Sequence, residues 1–213
     1  MNTLIIVSMI LITFSYLSGC VSYSVIISKA FKKTDIRKLG NGNPGASNTV
    51  VNLGWKYGVA VGALDIFKAV FPILLAKLIL TNYFPEIDTQ TFKTIVYFCG
   101  GAAIIGHVFS VFLMFKGGKG TASLVGTMLA IDIRFGLIGA VVIILITLVS
   151  NYIALGTMGL LMVFILGTVL YFFSVANIII VLTIASISFI KHCPNFVNIK
   201  NGTEKKLMST IKK

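Results

Sequence analysis

Seven long apolar segments, almost free of charged residues, run through the chain and restrict what it can fold into. Six of them contain no Asp, Glu, Lys or Arg, and the exception is the segment 58–80. Across the sequence 57% of the residues are hydrophobic and only 11% are charged. A soluble fold needs more polar surface than so few charges provide. We therefore predict an all-α, polytopic integral membrane protein, because lipid is the solvent that such a surface requires.

A membrane-spanning helix needs about 20 mostly apolar residues, and this length sets the predicted spans. Seven spans are predicted, at residues 4–28, 58–80, 94–114, 120–131, 135–150, 153–172 and 175–190. The fourth and fifth are short and are separated only by residues 132–134, so one of them is alternatively a broken or re-entrant helix and the count is six. No composition break divides the chain, which predicts a single transmembrane domain over residues 1–213.

Basic residues are unevenly distributed between the two sides of the predicted bundle. Segment 29–56, loop 115–120 and the tail 191–213 carry most of the lysines, whereas the opposite side has the acidic turn with Glu86 and Asp88. The positive-inside rule then places the N-terminus outside and the C-terminus in the cytoplasm. The net charge of +12 comes almost entirely from lysines in short blocks between apolar segments, a pattern that predicts no nucleic-acid partner.

The three cysteines, Cys20, Cys99 and Cys193, are odd in number and far apart in the sequence. No C-x-x-C pair occurs among them. The sequence therefore predicts neither a disulfide framework nor a zinc site, and no metal is expected.

A basic loop rich in glycine and asparagine precedes the second predicted span. Its candidate ligand-binding residues are Asn41, Gly42, Asn43, Gly45, Ser47 and Asn48. A loop of this kind can direct backbone N–H groups and a helix N-terminus at a phosphate. Asparagine, glycine and proline are also the commonest turn formers, so a plain turn is equally consistent with these residues.

The second predicted span carries two further features. Gly54, Gly58 and Gly62 recur at four-residue spacing, which places them on one helix face and favours close approach of another helix. Asp65 and Lys68 follow at a spacing of three, where they can face each other inside an apolar helix. An intramembrane charged pair of this kind indicates either a functional site or a structural ion pair.

A second glycine loop, with Gly117, Gly118, Lys119 and Gly120, precedes the fourth predicted span. Its spacing does not fit the nucleotide P-loop, and no strand precedes it. A small glycine loop with a lysine at the start of a helix is suited to bind an oxyanion. His107, near the end of the preceding span, is either a proton carrier or a buried, hydrogen-bonded imidazole.

The basic tail contains a third group of polar residues, with His192, Asn195 and Glu204. Taken alone, such a tail is typical of a juxtamembrane segment that binds anionic lipid headgroups. The tail becomes informative about function because its polar residues follow the two glycine loops in the sequence.

Taken together, these segments resemble the motifs of the bacterial acyl-phosphate:glycerol-3-phosphate acyltransferases, a family of seven-helix membrane enzymes. The first loop is similar to the family's G-S-G-N-x-G-A-T-N, and Asp65 with Lys68 is similar to its L-D-x-x-K. Residues 106–123 resemble its G-H-x-x-P-x-x-x-x-F-x-G-G-K-G-x-A-T, and the tail residues His192 and Asn195 resemble the terminal H-x-x-N. Four motifs in order over nearly the whole chain are far more specific than any one of them.

The resemblance implies that the 1-hydroxyl of glycerol 3-phosphate attacks the carbonyl of a fatty acyl phosphate, which gives lysophosphatidic acid and inorganic phosphate. It implies no cofactor, no metal and no covalent acyl-enzyme, because the protein positions two phosphates and stabilises developing charge. The sequence itself has no H-x-x-x-x-D acyltransferase motif, no Ser-His-Asp order and no cysteine beside a base.

Residue roles and partners also follow from the resemblance. The catalytic residues it implies are His107, Lys119, His192 and Asn195. The substrate-binding residues it implies are Asn41, Gly42, Asn43, Gly45, Ser47, Asn48, Asp65, Lys68, Gly117, Gly118, Gly120, Thr157 and Glu204. The implied location is the cell inner (cytoplasmic) membrane, with the active-site loops facing the cytoplasm. The implied partners are acyl phosphate, glycerol 3-phosphate, the lipid bilayer and other phospholipid-synthesis enzymes.

The chain departs from the family's motifs at several positions. Val51, Asn151 and Asn198 stand where the motifs have arginine, Asn41 where they have serine and Ser110 where they have proline. Three missing guanidinium groups are three missing bidentate phosphate donors, which lysine replaces poorly.

Two alternative functions remain open from the sequence. Lys56, Lys116 and Lys200 are candidates to replace part of the missing charge, and if they do not, the chain is an inactive or specialised paralogue that binds lipid phosphates or a partner enzyme. A small transporter that uses Asp65 and Lys68 as a relay is the other alternative. That function does not account for three glycine-containing loops on one side of the bundle.

Overall fold

The structure, a computed structural model, describes residues 2–207. Within this range the chain forms nine α-helices and no strand, which confirms the predicted all-α class. The helices are α1 Asn2–Cys20, α2 Tyr23–Lys32, α3 Ala46–Leu53, α4 Trp55–Tyr83, α5 Thr89–Val108, α6 Thr121–Ile131, α7 Ile133–Ser150, α8 Ile153–Tyr171 and α9 Val175–Lys200. Two 3₁₀ turns, Ile36–Lys38 and Val111–Leu113, lie in the loops before α3 and α6.

Six segments of the described chain are long and apolar enough to cross a membrane. They are Asn2–Lys32, Trp55–Tyr83, Thr89–Leu113, Ile133–Ser150, Ile153–Tyr171 and Val175–Lys200. Large hydrophobic side chains cover the outer faces of these helices, as lipid contact requires. The protein is therefore a multi-pass membrane protein, as predicted, while the choice between six and seven crossings and the sides of the two termini stay predictions.

The fourth predicted span is the short helix α6. Its 11 residues rise only about 16 Å, roughly half the hydrocarbon thickness. Most of its side chains are buried, because α6 packs against α4, α5 and α7. At its end Lys77 Nζ donates to the carbonyl oxygen of Ile131 at 2.8 Å, and Asp132 accepts from the first amides of α7. A half-length helix is tolerated here because protein rather than lipid surrounds it.

The first predicted span is not one continuous helix, because the chain breaks between α1 and α2. Two carbonyl groups freed at the break find side-chain donors from α4 and from the segment that follows α5. Lys68 Nζ donates to Val21 O at 2.7 Å, and Ser110 Oγ donates to Cys20 O at 2.7 Å. The backbone of α1 also lies directly against α5, since a Cβ on Gly106 would come within 2.1 Å of Tyr16 O. The break is thus fixed by contacts that apolar length alone does not encode.

Segment 29–56, predicted as a loop, contains the helix α3. This helix packs on α4, where a Cβ on Gly58 would lie 2.0 Å from Val50 Cγ2. Gly62 faces Ala46 at an ordinary contact distance, whereas Gly54 has a φ of +100° and forms the turn between the two helices. The predicted glycine face therefore does allow a helix to approach, and the helix that approaches is α3.

The basic tail, predicted to begin at residue 191, is helical as far as Lys200 because α9 continues beyond the predicted span. After Gly202, which has a φ of +71°, the chain turns back toward the bundle. Thr203 N and Glu204 N donate to Asn198 O, and Leu207 N donates to Asn151 O at 2.9 Å. Residues 208–213 of the predicted tail lie outside the described residues.

Candidate active site

A cavity of about 280 Å³, the central cavity, lies where the three polar segments of the sequence meet. It is enclosed by the starts of α3, α6 and α8, by α4, α5, α7 and α9, and by the segment that follows α9. Twelve of the residues predicted from the sequence line it: Asn41, Asn43, Gly45, Ser47, Asn48, Asp65, His107, Lys119, Gly120, His192, Asn195 and Glu204. Residues more than 150 positions apart in the chain are thus brought to one place.

The N-termini of α3, α6 and α8 reach the central cavity, and none of the three has a side-chain cap. Two of them follow a glycine N-cap, Gly45 before α3 and Gly120 before α6, whereas α8 follows Tyr152. Ala46 and Thr121, the first residues of the two helices, both line the cavity. The first N–H groups of a helix have no intrahelical partner, and the helix dipole adds positive potential there. The cavity therefore offers two anion-binding helix ends, and glycine caps leave their amides open to a ligand.

The backbone amides of the two glycine loops are largely used within the protein. Gly118 N donates to His107 O at 3.0 Å and Gly117 N to Val108 O at 3.1 Å. Asn43 N donates to Asn41 Oδ1, and Gly45 N donates to Asn43 O. Of the two kinds of donor predicted from the sequence, loop amides and helix N-termini, the loop amides are thus mostly occupied, whereas the first amides of the helices have no intrahelical partner.

Lys119, Asn195 and Glu204 form a hydrogen-bonded chain along the wall of the central cavity. Lys119 Nζ donates to Asn195 Oδ1, and Asn195 Nδ2 donates to Glu204 Oε1 at 2.6 Å. The second carboxylate oxygen of Glu204 accepts from Asn198 Nδ2 at 3.3 Å. Burial lowers the pKa of Lys119, and the Glu204 carboxylate partly opposes this shift. This hydrogen-bonded chain holds the ammonium of Lys119 at the cavity, with Asn195 rather than a carboxylate in direct contact with it.

His192 presents one defined ring nitrogen to the site. Its Nδ1 lies 2.8 Å from Ser188 O, one turn earlier in α9. A carbonyl oxygen only accepts, so Nδ1 carries the proton and Nε2 of the neutral ring is left with a lone pair. This residue lines the central cavity, so its ring is suited to accept a proton there.

Asp65, Lys68 and His107 are buried side by side at the inner end of the central cavity. The Lys68 ammonium lies 2.8 Å from Asp65 Oδ1, and His107 Nδ1 lies 3.8 Å from the same oxygen. The His107 ring also packs against Gly118, where a Cβ would come within 2.3 Å of Nε2. Asp65 and His107 line the cavity, but Lys68 does not, because its ammonium is engaged by Asp65 and Val21 O. Lys68 therefore makes structural contacts here, and its substrate-binding role stays a prediction.

Thr157 is another predicted residue that does not line the central cavity. It is fully buried in α8 and donates to Ile153 O at 2.9 Å. Its Oγ1 lies 3.1 Å from Thr121 Oγ1, and Thr121 does line the cavity. Thr157 thus contacts a residue of the wall. Thr121 follows the glycine N-cap of α6, a position at which the sequence already offers a hydroxyl to an oxyanion.

Two further cavities adjoin the central cavity, and all three are lined by Asn41. The lysine cavity, about 340 Å³, is lined by Gly42, Gly117 and Gly118 together with Lys116 and Lys191. The tail cavity, about 350 Å³, is lined by residues that include Ser47, Val51, Asn198 and Lys205. Gly42, Gly117 and Gly118 therefore face the neighbouring lysine cavity rather than the central one.

Arg37 lies outside these three cavities, although it belongs to the first basic loop. Its guanidinium pairs with Asp35 at 2.7 Å, and the hydrogen bond from Arg37 lowers the pKa of that carboxyl to about 2. The only arginine of the loop is thus engaged in holding the 3₁₀ turn. Within residues 2–207 no three His, Cys, Asp or Glu side chains form a group that could hold a metal ion.

The fold and the site define a multi-pass membrane protein with a polar cavity between its helices. A sequence model of the family described as "Glycerol-3-phosphate acyltransferase" matches residues 9–202. Glycerol-3-phosphate acyltransferase 1 of Oceanobacillus iheyensis is 40% identical over 198 residues, which cover 93% of this chain and 94% of that protein. Glycerol-3-phosphate acyltransferase 2 of Bacillus anthracis is 39% identical, with 91% of this chain and 96% of that protein covered.

Solved structures agree with the relatives. The crystal structure of PlsY, an integral membrane glycerol 3-phosphate acyltransferase, in its glycerol 3-phosphate form has a TM-score of 0.80 and 30% identity, covering 93% of this chain and 94% of that one. The lysophosphatidic acid form gives a TM-score of 0.79 and 27% identity, covering 97% and 99%. The chain therefore belongs to the glycerol-3-phosphate acyltransferase family, as the motif resemblance predicted.

Proposed function

We propose that the protein transfers a fatty acyl group from acyl phosphate to the 1-hydroxyl of glycerol 3-phosphate. The observation that carries this proposal is the convergence of two uncapped helix N-termini and Lys119 on one cavity. The reaction involves two phosphate-bearing substrates, and the cavity provides two helix ends for them. Relatives named glycerol-3-phosphate acyltransferase, and PlsY in its glycerol 3-phosphate and lysophosphatidic acid forms, support the same reaction.

Part of the lining of the central cavity is apolar and suits the beginning of an acyl chain. This part consists of Val125, Ile143, Ile153 and Ala154, on α6, α7 and α8. The polar residues and the two glycine-capped helix ends belong to the rest of the lining. An acyl phosphate with its chain toward this apolar wall would direct its phosphate at the helix ends, with the carbonyl carbon between the two regions.

In the proposed step the glycerol hydroxyl oxygen attacks the acyl carbonyl carbon, and the bond from that carbon to the phosphate oxygen breaks. His192 Nε2 takes the hydroxyl proton, and a substrate phosphate oxygen is the alternative acceptor. Negative charge that develops on the carbonyl oxygen and on the leaving phosphate is stabilised by Lys119 and by the amides of α6. Orientation of both substrates in one cavity supplies a further part of the rate increase.

His107, Asp65 and Asn195 position these groups in our proposal. Asn195 holds Lys119, and His107 supports the backbone of the second glycine loop through its contact with Gly118. The sequence-level assignment of His107 and Asn195 as catalytic is thereby narrowed to positioning.

We further propose that the site faces the cytoplasm from the cell inner membrane. The basic loops and the end of α9 surround the cavity. The positive-inside rule predicts that segments this rich in lysine face the cytoplasm. Glycerol 3-phosphate would arrive from water and acyl phosphate from the leaflet. Enzymes of phospholipid synthesis that supply acyl phosphate and consume lysophosphatidic acid are the functional partners that follow from this chemistry.

The test is an assay of the purified, reconstituted protein with acyl phosphate and radiolabelled glycerol 3-phosphate. We expect labelled lysophosphatidic acid from the unaltered protein and a loss of about a hundredfold or more for Lys119→Ala, as for removal of a charged group that stabilises a transition state. Lys93→Ala, on the opposite side of the bundle, is the matched control and should keep full activity. Product no higher than that of Lys119→Ala would indicate the inactive paralogue, and equal use of acyl-CoA would overturn the donor assignment.

A further inference from the structure

The tail cavity contains a cation that none of the sequence motifs includes. Of its lining residues only Glu204 and Lys205 are charged. Both carboxylate oxygens of Glu204 already accept hydrogen bonds, from Asn195 and from Asn198. Lys205 is exposed, and no carboxylate of residues 2–207 lies within ion-pair distance of its ammonium. The positive charge of Lys205 is therefore available to an anionic ligand in this cavity.

Lys205 stands on a segment that is attached on both sides. Before it, Thr203 N and Glu204 N donate to Asn198 O at 2.8 and 3.1 Å. After it, Leu207 N donates to Asn151 O at 2.9 Å. These hydrogen bonds tie the segment to the end of α9 and to the corner between α7 and α8. The backbone at Lys205 is thus held against the tail cavity.

The tail cavity and the central cavity share one wall. Ser47 and Asn48, in the first turn of α3, line both of them, and Lys119 lines only the central one. A phosphate at the start of α3 is therefore within reach of the tail cavity, while a phosphate at the start of α6 lies beside Lys119. Two phosphates close together repel each other strongly at low dielectric, so one lysine does not balance both.

We propose that Lys205 binds a substrate phosphate monoester in the tail cavity, as the cation of that cavity. This inference rests on the proposed function, because it presumes two phosphate-bearing substrates. Val51 and Asn198, two of the three positions that lack the motif arginine, line the same cavity, and the third, Asn151, anchors Leu207. The segment that carries Lys205 therefore occupies the region where the helices themselves have no cation. Of the three lysines suggested from sequence, Lys56 and Lys200 line none of the three cavities, and Lys116 lines the lysine cavity but not the tail cavity.

The test compares Lys205→Ala with Lys200→Ala, which removes the same charge from the end of α9 but not from the tail cavity. Steady-state KM values for glycerol 3-phosphate and for acyl phosphate are measured separately for both variants and for Lys205→Arg. A hydrogen bond to a charged group corresponds to a change of roughly tenfold to a hundredfold. We expect Lys205→Ala to raise the KM of one substrate by that factor, Lys205→Arg to restore most of it, and Lys200→Ala to change it less than about twofold.

The substrate whose KM rises is the one whose phosphate Lys205 binds. A rise for either glycerol 3-phosphate or acyl phosphate supports the proposal. Equal KM values for Lys205→Ala and the unaltered protein, for both substrates, would overturn it. Calorimetric titration of glycerol 3-phosphate and of inorganic phosphate into the same proteins gives a readout that does not need catalysis. If the protein has no acyltransferase activity, weaker phosphate binding by Lys205→Ala alone still supports the inference, and unchanged binding refutes it.

Discussion

Replacement of Gly118 by alanine tests whether the second glycine loop and His107 act as one rigid unit. The added Cβ would lie 2.3 Å from His107 Nε2 and 3.1 to 3.2 Å from its two neighbouring ring carbons. The first distance is more than 1 Å below an ordinary van der Waals contact of 3.4 Å. The ring cannot move into solvent, because His107 is only 6% exposed and Asp65 lies on its other side.

Overpacking of this kind typically costs about 1–3 kcal/mol. In a chain of this length that cost corresponds to a fall in the midpoint of thermal unfolding of roughly 2–10 °C. Displacement of Lys119, which follows Gly118 directly, by about 1 Å is expected to reduce the rate about a hundredfold. Gly62→Ala is the matched control, since its Cβ would meet Ala46 at the ordinary distance of 3.6 Å.

The assay combines initial rates at saturating concentrations of both substrates with thermal unfolding of the purified protein. We expect Gly118→Ala to lose rate and stability together and Gly62→Ala to lose neither. If Gly118→Ala kept the rate and the midpoint of the unaltered protein, the contact between the loop and His107 would not hold the site. A variant that lost stability but kept its rate would separate the packing from the chemistry and refute the positioning role of His107.

Three further outcomes follow from the site. His192→Gln should lower kcat by about a hundredfold or more with little change in KM, as for loss of a general base, and an unchanged kcat would identify a substrate phosphate as the proton acceptor. Lys68→Met should lower the free energy of unfolding by about 3–5 kcal/mol, because it leaves the Asp65 charge buried and unpaired. The double variant Asp65→Leu with Lys68→Met should lose less of this free energy, and thermal unfolding of the purified proteins measures both. Burial lowers the pKa of Lys119, so the rate should fall with rising pH at a lower pH than that at which an exposed lysine loses its proton. Glu204→Gln removes the carboxylate that raises the pKa of Lys119, so in a pH–rate profile this variant should show the fall at a still lower pH.

Apolar segment length predicted most of the fold from sequence. The predicted span 153–172 agrees with α8 to within one residue, and the short segment before Asp132 is a separate helix, as its length suggested. Length and hydropathy are local properties of the chain, so they can be read without knowing what each helix contacts. The sequence order of the glycine loops and the tail likewise predicted which residues would share a site.

Tertiary structure decided which polar groups remain free for a ligand. The amides of Gly117 and Gly118 are engaged by the end of α5, Lys68 is engaged by Asp65 and the break after α1, and Thr157 lies behind Thr121. A residue type states what a group can donate or accept, but only the fold states which partner reaches it first. For the same reason Lys205 could not be singled out among the tail lysines, because its cavity is closed by a segment that returns to Asn151 across the bundle.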